Sequence, residues 1–174
     1  MKCTLLAFIF AATPALADAP PALQPTRDVD ITYKVPVGAN NMALLQRLRF
    51  SASLHKQRVD LPTSGNWVVM DYGAHRMSMI RDESKEIVDM PAPETAAASG
   101  FVRVGPDMVA GLACTEWRTR DTRGAETEAC YTNDGVLLQA RNESAVMMQA
   151  VTVRFDAQNE TVFALPAGYT HTTP

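Results

Sequence analysis

The chain has little of what most catalytic sites are built from. Its 174 residues include three histidines and three cysteines. His55, His75 and His171 have no serine or cysteine nucleophile at a recognisable spacing. G-x-S-x-G, HExxH, the P-loop and GxGxxG are all missing, so the sequence reads as non-enzymatic and no cofactor is expected. Helical periodicity is equally scarce. Residues 94–99 (ETAAAS) are the one alanine-rich stretch with helical propensity, and residues 41–45 are read as one further turn. A surplus of positive charge is lacking too: 16 Lys+Arg stand against 19 Asp+Glu, a net charge of −3. Phosphate binding needs a net basic face, so nucleic acid is not expected as a partner.

Long apolar runs are confined to the start. Lys2 opens a basic end, residues 5–12 are uninterrupted by charge, and Ala15-Leu16-Ala17 supplies the small-x-small pattern of a cleavage site. This is the pattern of a secretion signal over 1–17, with Asp18 as the new N-terminus, and it places the protein in the periplasm or outside the cell. The run is too short to span a bilayer, which takes roughly 20 residues, and no later stretch approaches that length. No transmembrane segment is therefore expected in the mature chain. Lys2 and Cys3 leave with the signal, taking the net charge from −3 to −4. The remainder has the size of one domain: a flexible lead-in over 18–27 (DAPPALQPTR, three prolines and no period) and a single β-rich domain over 28–174.

Extended segments follow one another along that domain. Residues 46–54 alternate cleanly, with Leu48, Phe50, Ala52 and Leu54 on one side and Arg47, Arg49, Ser51 and Ser53 on the other. Period two with one polar face marks a half-buried antiparallel strand. Further strands are expected at 28–37, 67–72, 75–81, 85–90, 101–104, 112–120, 126–131, 136–140, 146–155 and 162–165, with a hairpin signal at Asn133-Asp134-Gly135. Strands every 8–12 residues with turn chemistry between them point to an antiparallel sandwich, barrel or half-barrel.

Cys114 and Cys130 are the only cysteines beyond the leader. In an oxidising compartment an isolated pair reads as a disulfide, and two metal thiolates would need further ligands that the neighbourhood does not supply. A hairpin folded about residue 122, with its turn at Asp121-Thr122-Arg123-Gly124, sets 114 opposite 130. Closing a loop of about 16 residues is worth roughly 3 kcal/mol.

Two side-chain groups invite a functional reading. His75, Met77 and Met79 occupy alternate positions of one expected strand, and imidazole with thioethers suits Cu(I). The plainer alternative is that the methionines fill irregular apolar space, which nine methionines spread along the chain favour. Arg47, Arg49, Arg58 and Lys56 fall on or beside one polar strand face. They offer either an interaction surface for a structural domain of the cell envelope or a solvated face that discourages edge-to-edge association.

The stretches QRLRFSASLHKQRVD, VVMDYGAHRMSMIRDESKEIVDMPAP, VAGLACTEWRT, CYTNDGVLLQAR and FALPAGY cover most of the mature chain. In that order they resemble a group of uncharacterised exported bacterial proteins, distant relatives of the periplasmic lipoprotein-carrier (LolA/LolB-like) superfamily. The resemblance implies a mainly β fold: a curved antiparallel sheet forming an open half-barrel, with one or two short helices. It also implies a binding protein that holds an apolar ligand, such as a lipid or lipoprotein acyl chain, or an envelope protein partner on the concave face. The carrier's functional arginine does not map onto this sequence. The candidate lining is Leu48, Phe50, Leu54, Met70, Tyr72, Met77 and Met79, with ordinary core packing as the alternative for each.

Overall fold

The structure is a computed structural model describing residues 19–38, 42–62, 64–93, 100–120, 124–143 and 145–174. The leader over 1–17, the expected helix over 94–99 and the turn residues 121–123 lie outside the described residues. Among the described residues twelve strands form one sheet: β1 Val29–Val37, β2 Met42–Ser51, β3 Lys56–Asp60, β4 Trp67–Asp71, β5 Arg76–Arg81, β6 Glu86–Pro91, β7 Val102–Val109, β8 Leu112–Arg120, β9 Glu126–Tyr131, β10 Leu137–Asn142, β11 Ala145–Arg154 and β12 Thr170–Thr172. Their spatial order is β12-β6-β5-β4-β3-β2-β1-β11-β10-β9-β8-β7. The sheet is curved and unclosed, with β12 and β7 as its two edges. β12 pairs in parallel with β6, and every other pairing is antiparallel.

Directly opposed residues of an antiparallel ladder share a face, so the registers separate the side chains of β1–β6 into two sets. Leu48 and Phe50 belong to what we term the front face, Arg47 and Arg49 to the back. The largest apolar cluster gathers Val29, Ile31, Tyr33 and Phe50 with Val136, Leu138 and Ala150 from the β9–β11 region. A second cluster lies on the back of β4–β6. There Trp67, Val69, Ile80 and Ile87 are covered by Phe163, with Val162, Leu165 and Tyr169 packed around it.

Several boundaries differ from expectation. Residues 42–45 belong to β2, not to a helical turn. Their partners on β1 (Val37, Pro36, Val35 and Lys34) extend the ladder over them, and tertiary pairing overrides weak local propensity. The strand expected over 46–54 stops at Ser51, and a turn follows at 52–55. The short strand β3 (KQRVD) escaped a pattern search because four of its five residues are polar. Residues 162–165 are not a strand. A single 3₁₀ turn spans Glu160–Phe163, capped by Asn159, whose side chain accepts the Thr161 N–H.

The hairpin carrying the cysteines is also shifted. Glu116, not Cys114, stands opposite Cys130, so the fold-back centres one residue beyond 122. Cys114 and Cys130 are diagonal neighbours on the same side, with Cα atoms 5.5 Å apart and a formed disulfide.

Candidate binding face

Two rows of apolar residues cross the front of six strands. The first runs Val29, Phe50, Gln57, Met70, Met77, Met90, each opposite the next. The second runs Ile31, Leu48, Val59, Val68, Met79, Val88 along the same strands. Gln57 is the one polar member, and its side-chain oxygen accepts the Tyr72 hydroxyl at 3.3 Å. Tyr72 in turn stands against Phe50, ring centroids 6.3 Å apart.

The two ends of these rows differ in what covers them. At the β1–β2 end the rows run into the larger apolar cluster, and the lead-in lies alongside, against the turn at 132–135. Residues 19–27 carry no helix or strand, in keeping with their prolines, yet Pro21 is buried. Leu23 and Pro25 border a cleft of about 200 Å³ together with Ile31, Tyr33, Leu48 and Met148. The segment is fastened where the Thr26 N–H donates to the Asp134 carbonyl at 2.9 Å and Arg27 stacks 3.5 Å over the Phe155 ring. Gly135 makes this approach feasible, since a Cβ there would stand 2.3 Å from the Gln24 carbonyl oxygen. Beneath the strap, the Tyr33 hydroxyl donates to the Leu137 carbonyl at 2.7 Å, and burial pushes its pKa far up.

At the β4–β6 end, Met70, Met77, Met79, Val88 and Met90 are half-buried. None of them belongs to either apolar cluster among the described residues. Large apolar side chains that touch no core and sit in one contiguous patch mark a contact surface more often than an isolated exposed residue does.

Beside the smaller apolar cluster, the back face over β1–β3 is polar. Asp30, whose side chain is 8% exposed, accepts from Arg47 at 2.6 Å and Arg154 at 2.7 Å. The Arg47 hydrogen bond, against the opposing effect of burial and with help from Arg154, holds its carboxyl below the usual carboxylate range. Arg49 and Arg58 both pair with Asp60, Lys56 pairs with Asp71, and the Arg58 guanidinium lies 3.7 Å over the Trp67 ring. Each cation of the basic patch read from the sequence is thus paired, the four of them drawing on three carboxylates, Asp30, Asp60 and Asp71. At the sheet edge, the Asp89 carboxylate meets the Ser78 hydroxyl at 2.5 Å and His171 Nδ1 at 2.7 Å.

Of the seven lining candidates, the sheet brings Leu48, Phe50, Met70, Met77 and Met79 onto the front, with Tyr72 packed beside Phe50. Leu54 does not join them. It follows the break at Ser51 and packs with Trp67, Ile80 and Phe163 on the other side. His75 is likewise not a strand neighbour of Met77. It is the last residue of the turn before β5, exposed and at φ 51°, a left-handed conformation that ends the alternation. Four of the nine methionines, by contrast, gather: the register collects Met70, Met77 and Met90 into one row with Met79 beside it. Val59, Val68 and Val88 complete the face and were missed as lining. Val59 sits in a strand that reads as charged, and Val68 and Val88 are recognisable only from register. Among the described residues no three His, Cys, Asp or Glu side chains are grouped to hold a metal.

No family model matches the chain, and no curated protein matches it by sequence. Solved structures do match in shape. An uncharacterised conserved protein from Thermus thermophilus aligns with a TM-score of 0.64 at 14% identity, over 86% of this chain and 91% of that one. MucB in complex with MucA(peri) aligns with a TM-score of 0.56 at 15% identity, over 84% of this chain. The fold is LolA-like. The Pseudomonas aeruginosa MucA/MucB complex gives a TM-score of 0.55 at 16% identity over 84% of this chain. This chain spans 57–58% of the length of the MucB chains in the two complexes. At such identities the likeness establishes the LolA-like fold alone. In that fold the front face of β1–β6 presents apolar rows that, among the described residues, join the larger apolar cluster and the lead-in at one end and neither cluster at the other.

Proposed function

We propose that this is a non-enzymatic binding domain of the cell envelope, exported by residues 1–17, whose front face receives an apolar stretch of another envelope polypeptide. The observation that carries the reading is the half-covered pair of apolar rows. Their other end holds Met70, Met77, Met79 and Met90, half-buried and outside both apolar clusters of the described residues, and unbranched, polarisable methionine adapts to varied apolar partners. The covered end is already bordered by a proline-containing segment of the chain itself. MucB, which shares the fold, forms a complex with MucA(peri). A cleft of about 200 Å³ is smaller than the roughly 300–1,000 Å³ of small-molecule pockets, which favours a polypeptide lying on the surface over an acyl chain held inside. The disulfide fits an oxidising compartment.

Photo-cross-linking in intact cells tests this. With p-benzoylphenylalanine at Met79 on the front and at Thr152 on the back, adducts to an envelope polypeptide are expected from Met79 alone. Equal adducts from both positions, or none from either, defeat the reading. Native mass spectrometry of the gently purified protein supplies the second arm: a retained acyl species with no front-face polypeptide adduct would replace the polypeptide by a lipid.

A further inference from the structure

The free end of the front face has a chemical character beyond being apolar. Four of the chain's nine methionines stand there. Met77 on β5 is flanked by its direct cross-strand partners, Met70 on β4 and Met90 on β6. Met79 is on the same face two residues along β5, opposite Val68 and Val88. Adjacent strands lie about 4.8 Å apart, and directly opposed Cβ atoms about 4.5–5.5 Å apart. A methionine side chain has three freely rotating bonds. Three thioethers in one row therefore reach a common point above Met77 without any movement of the sheet.

We propose that Met70, Met77 and Met90 form a binding site for a soft monovalent cation, Cu(I), with Met79 as an auxiliary thioether at its side. Thioethers are neutral, soft donors that select Cu(I) over harder divalent ions. The surroundings fit that preference: the neighbouring front-face residues Val59, Val68 and Val88 are apolar, Gln57 beside Met70 is uncharged, Asp71, Arg76 and Asp89 belong to the back-face rows, and the front-face charges Arg81 and Glu86, beyond Met79 and Val88, pair with each other at 3.0 Å. All four methionines are half-buried, so the sulfurs are neither sealed in a core nor fully hydrated. His75 has no part in the site, because its turn position takes it out of the strand alternation.

The site stands or falls separately from polypeptide binding, because Met→Leu substitution keeps the apolar surface and its volume while removing sulfur. The test is anaerobic titration of Cu(I) in competition with bathocuproine disulfonate. The full chain is used with its disulfide intact and with Cys3→Ser, which removes the one thiol outside that bond. The parent is expected to withhold one Cu(I) from the chelator. Met77→Leu should weaken binding roughly tenfold or more, and Met70→Leu/Met77→Leu/Met90→Leu should abolish it, while His75→Ala leaves it unchanged. X-ray absorption of the loaded parent should show a shell of sulfur neighbours. The proposal is overturned if the parent yields all its Cu(I) to the chelator, or if the triple variant, folded by circular dichroism, holds Cu(I) as tightly as the parent.

Discussion

Gly135 occupies the tightest point of contact between the lead-in and the sheet. Its φ of 77° favours glycine by itself, and a Cβ would also meet the Gln24 carbonyl oxygen at 2.3 Å and the Ala22 Cβ at 3.0 Å. Gly111 has nearly the same φ, 76°, with nothing within 4 Å. The pair separates backbone strain from steric exclusion. Gly111→Ala should cost about 1 kcal/mol, whereas Gly135→Ala should cost roughly 1–3 kcal/mol more and lift residues 19–27 from the front face. Urea unfolding gives the energies and limited proteolysis reports the strap. Equal costs with an equally protected strap would mean that the lead-in is not held at Gly135. Asp30 supports a different prediction, in pH. A carboxyl whose folded pKa lies below its unfolded value binds fewer protons folded than unfolded, so stability rises with pH across that window. The contribution of Asp30 is complete above about pH 5 and fades as pH falls from the unfolded value, about 3.9, through the lowered folded one. Asp30→Asn should flatten that part of the profile and cost roughly 1–3 kcal/mol at neutral pH, since Arg47 and Arg154 lose their shared partner. Thermal unfolding of both forms between about pH 2 and 7 measures it; an unchanged acid limb would place the stabilising ionisation elsewhere.

Individual elements show where the sequence was legible and where it was not. Alternation and β-branched runs located β1, β4, β5, β6, β8, β9, β10 and β11; β5 and β10 bury every second residue, whereas β1 and β4 bury consecutive ones and were found as short apolar runs. These signals failed where a strand's pattern was hidden by its company. The charged residues of β3 (Lys56, Arg58 and Asp60) pair across the back of the sheet, so Val59 was the only apolar signal it carried. β12 (Thr170–Thr172) has no apolar residue and exists because β6 offers it a parallel edge. The candidate face suffered in the same way. Leu48 and Phe50 could be placed from their own strand, but the grouping of Met70, Met77 and Met90 depends on the lengths of two turns, each ending in a left-handed residue, His75 or Lys85. Sequence spacing alone cannot give that register. The cysteine hairpin makes the same point: the disulfide was read correctly, yet the strands slid by one position on each arm and turned an opposed pair into a diagonal one.

At the scale of the whole molecule, one continuous sheet carries two apolar clusters. The larger gathers β1 and β2 with Val136, Leu138 and Ala150, whereas the smaller is assembled on β4–β6 from the far end of the chain, with Phe163 3% exposed at its centre. The C-terminal segment is fixed there by β12 on β6, by the Arg58 guanidinium donating to the Val162 carbonyl at 3.1 Å and by His171 on Asp89. Strands joined only by a ladder, with separate clusters at either end, are expected to open in parts, because local opening need not disturb the remoter cluster. Phe163→Ala removes the central side chain of the smaller cluster, a loss of about 3–5 kcal/mol for a buried phenylalanine. That loss should appear as faster amide exchange in β5, β6 and β12, with β10 and β11 still protected to near the parent level. It should also loosen the strands that carry Met77 and Met90 without disturbing the strap at Gly135. If β10 and β11 exchange as fast as β5 and β6 in this variant, the sheet unfolds as one unit, and the front face cannot be remodelled at its free end while its covered end stays in place.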